Sequence, residues 1–253
     1  MSENPYAVPA APAEAPAKNI RYVEGGRAVP VVHAARWIAA GWRLFRRQPA
    51  VWVLLALVFG LIFFVLGVVP VLGQIAVTLL LPVFAGGMMQ ACRKVDAGEE
   101  IELADLFAGF RHNARTLVTV GLIGFLLMAA LVIPTLLLTG IGATFTRLVG
   151  GASEAAVGVL IGLLVFLALL VPIYMAMWFA PALVTFHDLP ARRAMLQSFK
   201  GCLKNIVPFL AYGLMMIVLA MIASIPFGLG WLVLGPVAVG SVYAGYRDIY
   251  VRP

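Results

Sequence analysis

The sequence predicts an all-α, polytopic membrane fold, and three observations carry that expectation. Six long apolar runs contain no Asp, Glu, Lys, Arg or His. About twenty such residues are enough to cross a bilayer as a helix. The chain of 253 residues is 63% hydrophobic and 11% charged, where soluble domains run near 45–50% and about 25%. Finally, of 18 Lys and Arg, all but Arg147 lie outside the turns expected on one side of the membrane. That asymmetry places both termini in the cytoplasm.

Residues 1–31 form a Pro/Ala-rich stretch with few large aliphatic side chains, which predicts a disordered cytoplasmic tail. It contains Asn4-Pro5-Tyr6-Ala7-Val8-Pro9, a candidate docking motif weighed against a plain extension. No segment in it has the apolar core of a cleavable signal, so the first span is expected to act as its own insertion signal. The membrane domain is expected over 32–253.

It opens on Arg36–Pro49, a basic amphipathic helix. Ile38, Trp42 and Phe45 fall on one face, and Arg36, Arg43 and Arg47 on another. Aromatic rings at headgroup depth with arginines reaching for phosphate describe an interfacial helix. Spans follow at about 50–69 and 72–91, joined by a tight uncharged turn. Pro82 is expected to kink the second of them, its freed carbonyl covered by neighbours.

A polar segment, 93–102, leads to a second surface helix, about 103–115, with Leu106 and Phe110 on its apolar face. The third span is expected at about 117–139 and the fourth at 156–178, with Pro172 inside it. The loop 140–154 between them holds Arg147 and Glu154. A third surface helix, about 191–205, carries Met195, Phe199 and Cys202 on one face. The last spans are expected at about 206–225 and 231–246, joined by a turn at 226–230.

The surface helices share a pattern of small, aromatic, basic, three residues, basic. It reads Gly41-Trp42-Arg43 with Arg47, Gly109-Phe110-Arg111 with Arg115, and Ser198-Phe199-Lys200 with Lys204. Arg193 completes the third stripe as Arg36 completes the first, while Ala104 stands in the second. The returning spans echo one another too. In Pro82–Arg93 and Pro236–Arg247 the proline, a small-residue patch and an exit arginine fall at the same offsets; in the fourth span Pro172 matches, and Leu183 stands where the exit arginine would be. These echoes predict three parallel repeats, each a surface helix and a helical hairpin.

Catalytic chemistry finds no foothold. The spans lack the ionisable groups that mark proton-coupled transport or intramembrane hydrolysis, and no nucleotide or nucleophile motif is present. No cofactor or metal is expected. His33, His112 and His187 sit at different distances from their aromatic-basic motifs. The acidic cluster 96–105 lacks calcium-loop spacing and is expected to pair with Arg93, Lys94, Arg111 and Arg115. Gln74, Thr78, Gln90, Thr119, Thr135, Thr139 and Ser224 read as helix–helix or turn hydrogen bonds. Cys92 and Cys202 are not expected to pair in a reducing compartment. Gly158-x-x-x-Gly162 and the glycines near 86–87 and 240–245 allow close helix approach, inside the molecule or in a homo-oligomer or with a membrane-protein partner.

The net charge of +7 flanks apolar spans, which favours anionic lipid over nucleic acid as partner. The expected headgroup contacts are Arg36, Arg43, Arg47, Arg111, Arg115, Arg193, Lys200 and Lys204, anchored by Trp42, Phe110 and Phe199. The alternative is a small uncoupled transporter or channel for an apolar or lipid-like substrate.

At Gly41–Pro49, Ala180–Val184 and Tyr243–Tyr250 the chain resembles an uncharacterised family of proteobacterial six-helix inner-membrane proteins. The likeness spans about 33–250. It implies a multi-pass inner-membrane location and supplies no catalytic residue.

Overall fold

The computed structural model describes residues 21–149 and 152–252. The motif Asn4–Pro9 lies outside the described residues, as do the side chains of Arg147 and Glu154. The chain begins with a two-residue strand, β1 (Arg21–Tyr22), and helix α1 (His33–Arg47). Gln48 breaks the helix at φ −142°, as a residue before proline is driven out of the α region. Pro49 then opens α2 (Pro49–Val68), where its missing N–H costs nothing. A turn at Val71, held at φ 61°, leads into α3 (Leu72–Ala97).

The second surface helix, expected as one piece over 103–115, is broken. A 3₁₀ turn at Leu103–Phe107 and a single turn α4 (Ala108–Arg111) replace it, and Asn113 at φ 61° ends them. The expected loop 140–154 is corrected as well: α5 runs unbroken from Ala114 to Val149, and α6 from Ala152 to Trp178. No proline falls in 140–149 to stop the helix, and the Thr139 and Thr144 hydroxyls donate back to carbonyls of their own turn, to Thr135 and Gly140.

Pro181 starts a short α7 (Ala180–His187) that the sequence reading merged with its surroundings. Asp188, left-handed at φ 52°, ends it. Helix α8 (Ala191–Lys204) lies where expected, followed by α9 (Ile206–Ser224), α10 (Trp231–Tyr250) and strand β2 (Val251–Arg252). β2 pairs antiparallel with β1.

Among the described residues, five helical stretches are long and apolar enough to cross a membrane: Pro49–Val68, Leu72–Ala97, Ala114–Leu137, Val159–His187 and Ile206–Ser224. The expected sixth span, 231–246, falls in α10. That helix is not among the five: its last turns carry Tyr243, Tyr246, Arg247 and Asp248 and are less apolar than the other spans. Leu210, Leu214, Ile217 and Met221 of α9 face outward, as a lipid-facing helix requires. Gly121 of α5 abuts the carbonyls of Thr78 and Leu79. This covers Thr78, the carbonyl that Pro82 leaves free.

Residues 21–31, expected to belong to the disordered tail, are packed. Gly25 and Gly26 take left-handed φ of 71° and 64°, which lets the segment turn between α8 and the end of α10. A side chain at Gly26 would meet Ile249 Cγ2 at 2.7 Å and Gly201 Cα at 3.2 Å. Backbone bonds run from Val23 N–H to Tyr250 O and from Arg27 N–H to Ile249 O. The composition of the whole tail hid this short stretch.

Candidate functional site

The end of the bundle that carries β1 and β2 holds the basic motifs, and their small residues are docking points. A Cβ at Gly41 of α1 would overlap the Val237 carbonyl of α10. One at Gly109 of α4 would overlap the Val83 carbonyl of α3. Ser198 of α8 stands on α6: its Oγ donates to Met175 O at 2.7 Å and accepts from Phe179 N–H at 2.9 Å. Each surface element therefore rests on the returning helix of the preceding hairpin, and the first rests on the last. In α3 and α10 the contact lies one residue after the proline. In the middle hairpin it lies three residues after Pro172, at Met175 of α6, and seven after it, at Phe179 just past the helix, a different register from the other two.

The faces that pack differ from those expected. Helix α1 buries Ala34, Trp37, Gly41, Leu44 and Phe45, while Trp42 is 45% exposed and stacks on Phe45. Helix α8 buries Ala194, Ser198 and Gly201 beside Met195 and Cys202, with Phe199 at the margin.

Each junction from surface element to span carries an amide side chain that ties down the chain beyond its own hairpin. Gln48 donates to Glu99 O at 2.8 Å and accepts from Ile101 N–H at 3.0 Å. Asn113 donates to Val184 O at 3.1 Å and Asp188 Oδ1 at 2.7 Å. Asn205, fully buried, donates to Arg27 O and Gly201 O and accepts from Val29 N–H, all at 2.8 Å. The N-terminal segment thus fills, for the last hairpin, the position that a following loop fills for the others.

Asp248 secures that segment. Its carboxylate accepts from Arg27 Nη2 at 2.9 Å, His33 Nδ1 at 2.6 Å and Trp37 Nε1 at 3.0 Å. Burial alone would raise its pKa. The hydrogen bonds from His33 and Trp37, with the charges of His33 and Arg27, outweigh burial and hold it below the usual carboxylate value. The other ring nitrogen of His33, Nε2, lies 3.1 Å from Arg36 Nη1.

The expected headgroup residues divide into two sets. Arg47 donates to the Val95 and Asp96 carbonyls at the end of α3, in a cleft shared with Glu100, and Lys204 donates to Gly26 O at 2.9 Å. These two hold the fold together, and Arg36 is engaged with His33. Arg43, Arg111, Arg115, Arg193 and Lys200 are exposed. Of the acidic cluster, Asp105 takes Lys94 at 2.7 Å and Asp96 takes Arg247; neither pairs with Arg111 or Arg115. Arg93 lies over the Phe186 ring at 5.1 Å. The small-residue faces are used internally: Gly86 meets Leu117 and Thr185, Gly162 meets Thr139, and Gly240 meets Gly41.

Deeper in the bundle lies a cavity of about 660 Å³ between α2, α3, α6, α7 and α10. Pro82, Pro181 and Pro236, one from each returning arm, line it, and no charged side chain does. It does not continue to the basic end. Met88, Met89 and Val242 floor it, and Tyr243 and Tyr246, one to four residues beyond Val242, are buried.

The chain is 33% identical over 205 residues to a probable inner membrane protein of Burkholderia thailandensis, an alignment covering 76% of this chain and 74% of that protein. The chain belongs to that protein's family. With this membership and its apolar helices, it is an integral inner-membrane protein. No family model matches the sequence, and no solved structure matches it.

For this family member, sequence reasoning missed Gln48, Asn113, Asn205, Gln197 and Asp248. The signal was present: an amide residue stands at each surface-to-span junction, where a membrane protein needs buried polar groups to be satisfied. Gln197 bridges the Gly25 N–H and Glu24, joining α8 to the N-terminal segment.

Proposed function

We propose that the protein is a six-span, non-catalytic lipid-engaging component of the inner membrane, with α10 as the sixth span and both termini cytoplasmic. Its three surface elements and hairpins form a pseudo-threefold ring. The ring presents Arg43, Arg111, Arg115, Arg193 and Lys200 to anionic headgroups, with Trp42 and Phe110 in the interface beside them. The observation that supports this reading is the exposure of these five cations at one end of the bundle, next to half-exposed aromatic rings. Guanidinium forks suit phosphate oxygens. Nucleic acid has no part in this reading, since the cations flank apolar helices.

The test is native mass spectrometry of protein released from membranes with its lipids, comparing wild type with a variant carrying Arg43→Gln, Arg111→Gln and Lys200→Gln. Each basic residue near an anionic leaflet contributes about 1 kcal/mol, so the triple change weakens anionic-lipid binding by roughly two orders of magnitude. Stoichiometric anionic lipid on the wild type and its loss from a folded variant is the expected result. Equal lipid on both contradicts the reading.

A further inference from the structure

We propose that the central cavity binds one hydrocarbon chain of a membrane phospholipid, inserted from the bilayer at the end of the bundle opposite β1 and β2. Binding there goes beyond headgroup contact at the basic end and does not depend on it. The lining is predominantly apolar, with Gly60 of α2, Met88 of α3, Tyr174 of α6 and Gly235 of α10 on its four sides. Water needs two or more polar partners to be stable in such a space, and the side-chain polar groups of this lining are one hydroxyl and two indole N–H groups, on Tyr174, Trp178 and Trp231. Trp231 Nε1, the polar group at the outer end, is already bonded to Ser224 Oγ at 3.1 Å.

Shape and depth select a chain rather than a compact solute. Along α10 the lining runs from Trp231 to Val242, about 16 Å at 1.5 Å per residue. That is close to one leaflet of a hydrocarbon core about 30 Å thick. Trp231 marks the outer end, where an indole sits at headgroup level, and the inner end is closed by Met88, Met89 and Val242. The cavity's 660 Å³ lies within the range of small-molecule sites, about 300–1,000 Å³. A chain entering at Trp231 ends against the methionines, whose flexible thioethers adapt to its terminus.

Two glycines make the proposal testable without damage to the fold. A Cβ at Gly60 or at Gly235 meets nothing within 4 Å, so Gly60→Leu with Gly235→Leu projects two branched side chains into the cavity, from α2 and α10, and obstructs it without forcing the helices apart. Leucine is also the better helix former at both positions.

The experiment reconstitutes the full chain in phosphatidylethanolamine/phosphatidylglycerol vesicles. A trace of phospholipid carries a diazirine near the end of one acyl chain, and cross-linked peptides are mapped after irradiation. The expected result is labelling concentrated on 82–89 and 235–242 relative to the outward face of α9 at Leu210, Leu214 and Ile217. The obstructed variant loses that enrichment with its thermal midpoint unchanged or raised. Labelling no richer in the lining than on α9, or unchanged in the obstructed variant, overturns the proposal. So does labelling of the lining by a diazirine free fatty acid but not by the phospholipid. Retention of the pattern in the Arg43, Arg111 and Lys200 variant separates this site from the headgroup contacts.

Discussion

The two ends of the molecule are held by different forces. At the basic end, buried polar side chains carry the contacts between elements: Ser198, Asn205, Gln197 and Asp105 are all buried and all hydrogen-bonded to another segment. At the far end, Thr78, Thr135, Thr139 and Ser224 donate only to carbonyls of their own helices, and leucine and valine side chains face outward. Apolar helices gain little from one another in lipid, where the tails are as apolar as they are. Close backbone approach and the polar layer at one end therefore set the arrangement, and the other end is free to leave a cavity between its helices.

The largest effect in this comparison is expected at Gly41. Gly41→Leu drives a side chain into the Val237 carbonyl and lifts α1 off α10, at about 3 kcal/mol or more. Thermal unfolding in detergent would show it as loss of a cooperative transition. Gly60→Leu, in open space, leaves the transition in place.

Asp248→Asn comes next. It removes the anion shared by Arg27, His33 and Trp37 and costs about 2 kcal/mol, with hydrogen exchange rising at residues 22–29. The same contact sets an acid limit. The Asp248 pKa is depressed below its ordinary 3.8, so its contribution is complete above that value and is lost as pH falls through the lower folded-state pKa. Hydrogen exchange at residues 22–29, corrected for the intrinsic pH dependence of exchange, is expected to rise only below about pH 4; exchange already unprotected at pH 6 would contradict the tether.

Smaller differences follow from hydroxyls and cations. Ser198→Ala orphans the Phe179 N–H and costs about 1–2 kcal/mol, whereas Thr78→Val at the far end stays within about 0.5 kcal/mol. Arg47→Gln releases the end of α3, at about 1 kcal/mol, and Arg43→Gln leaves the unfolding midpoint unchanged.

Much of the architecture was legible in the sequence because apolar runs and basic flanks are direct signatures of the bilayer. The boundaries of α2, α8 and α9 lie within a residue or two of expectation for that reason. What was not legible depended on partners distant in sequence. Trp37 and Trp42 are both plausible anchors by spacing, and only the position of α10 decides that Trp37 is buried. Arg47 and Arg43 are equivalent cations in the motif, and only the end of α3 decides that one caps a helix. The packing of 21–31 rests on Asn205 and Asp248, more than 170 residues away, and the average composition of the tail gave no sign of it.

The layered account depends most on α10 crossing the membrane, since that puts the polar layer and both termini on one side. Single cysteines at Phe227, in the turn before α10, and at Arg252, after it, test this with a membrane-impermeant maleimide on spheroplasts. Native Cys92 and Cys202 are buried, and burial pushes the Cys202 thiol up to about 12 despite its hydrogen bond with Ser198, so neither competes for label. The account predicts that Phe227→Cys is labelled on intact spheroplasts and Arg252→Cys only after lysis. Labelling of both from the same side would contradict it.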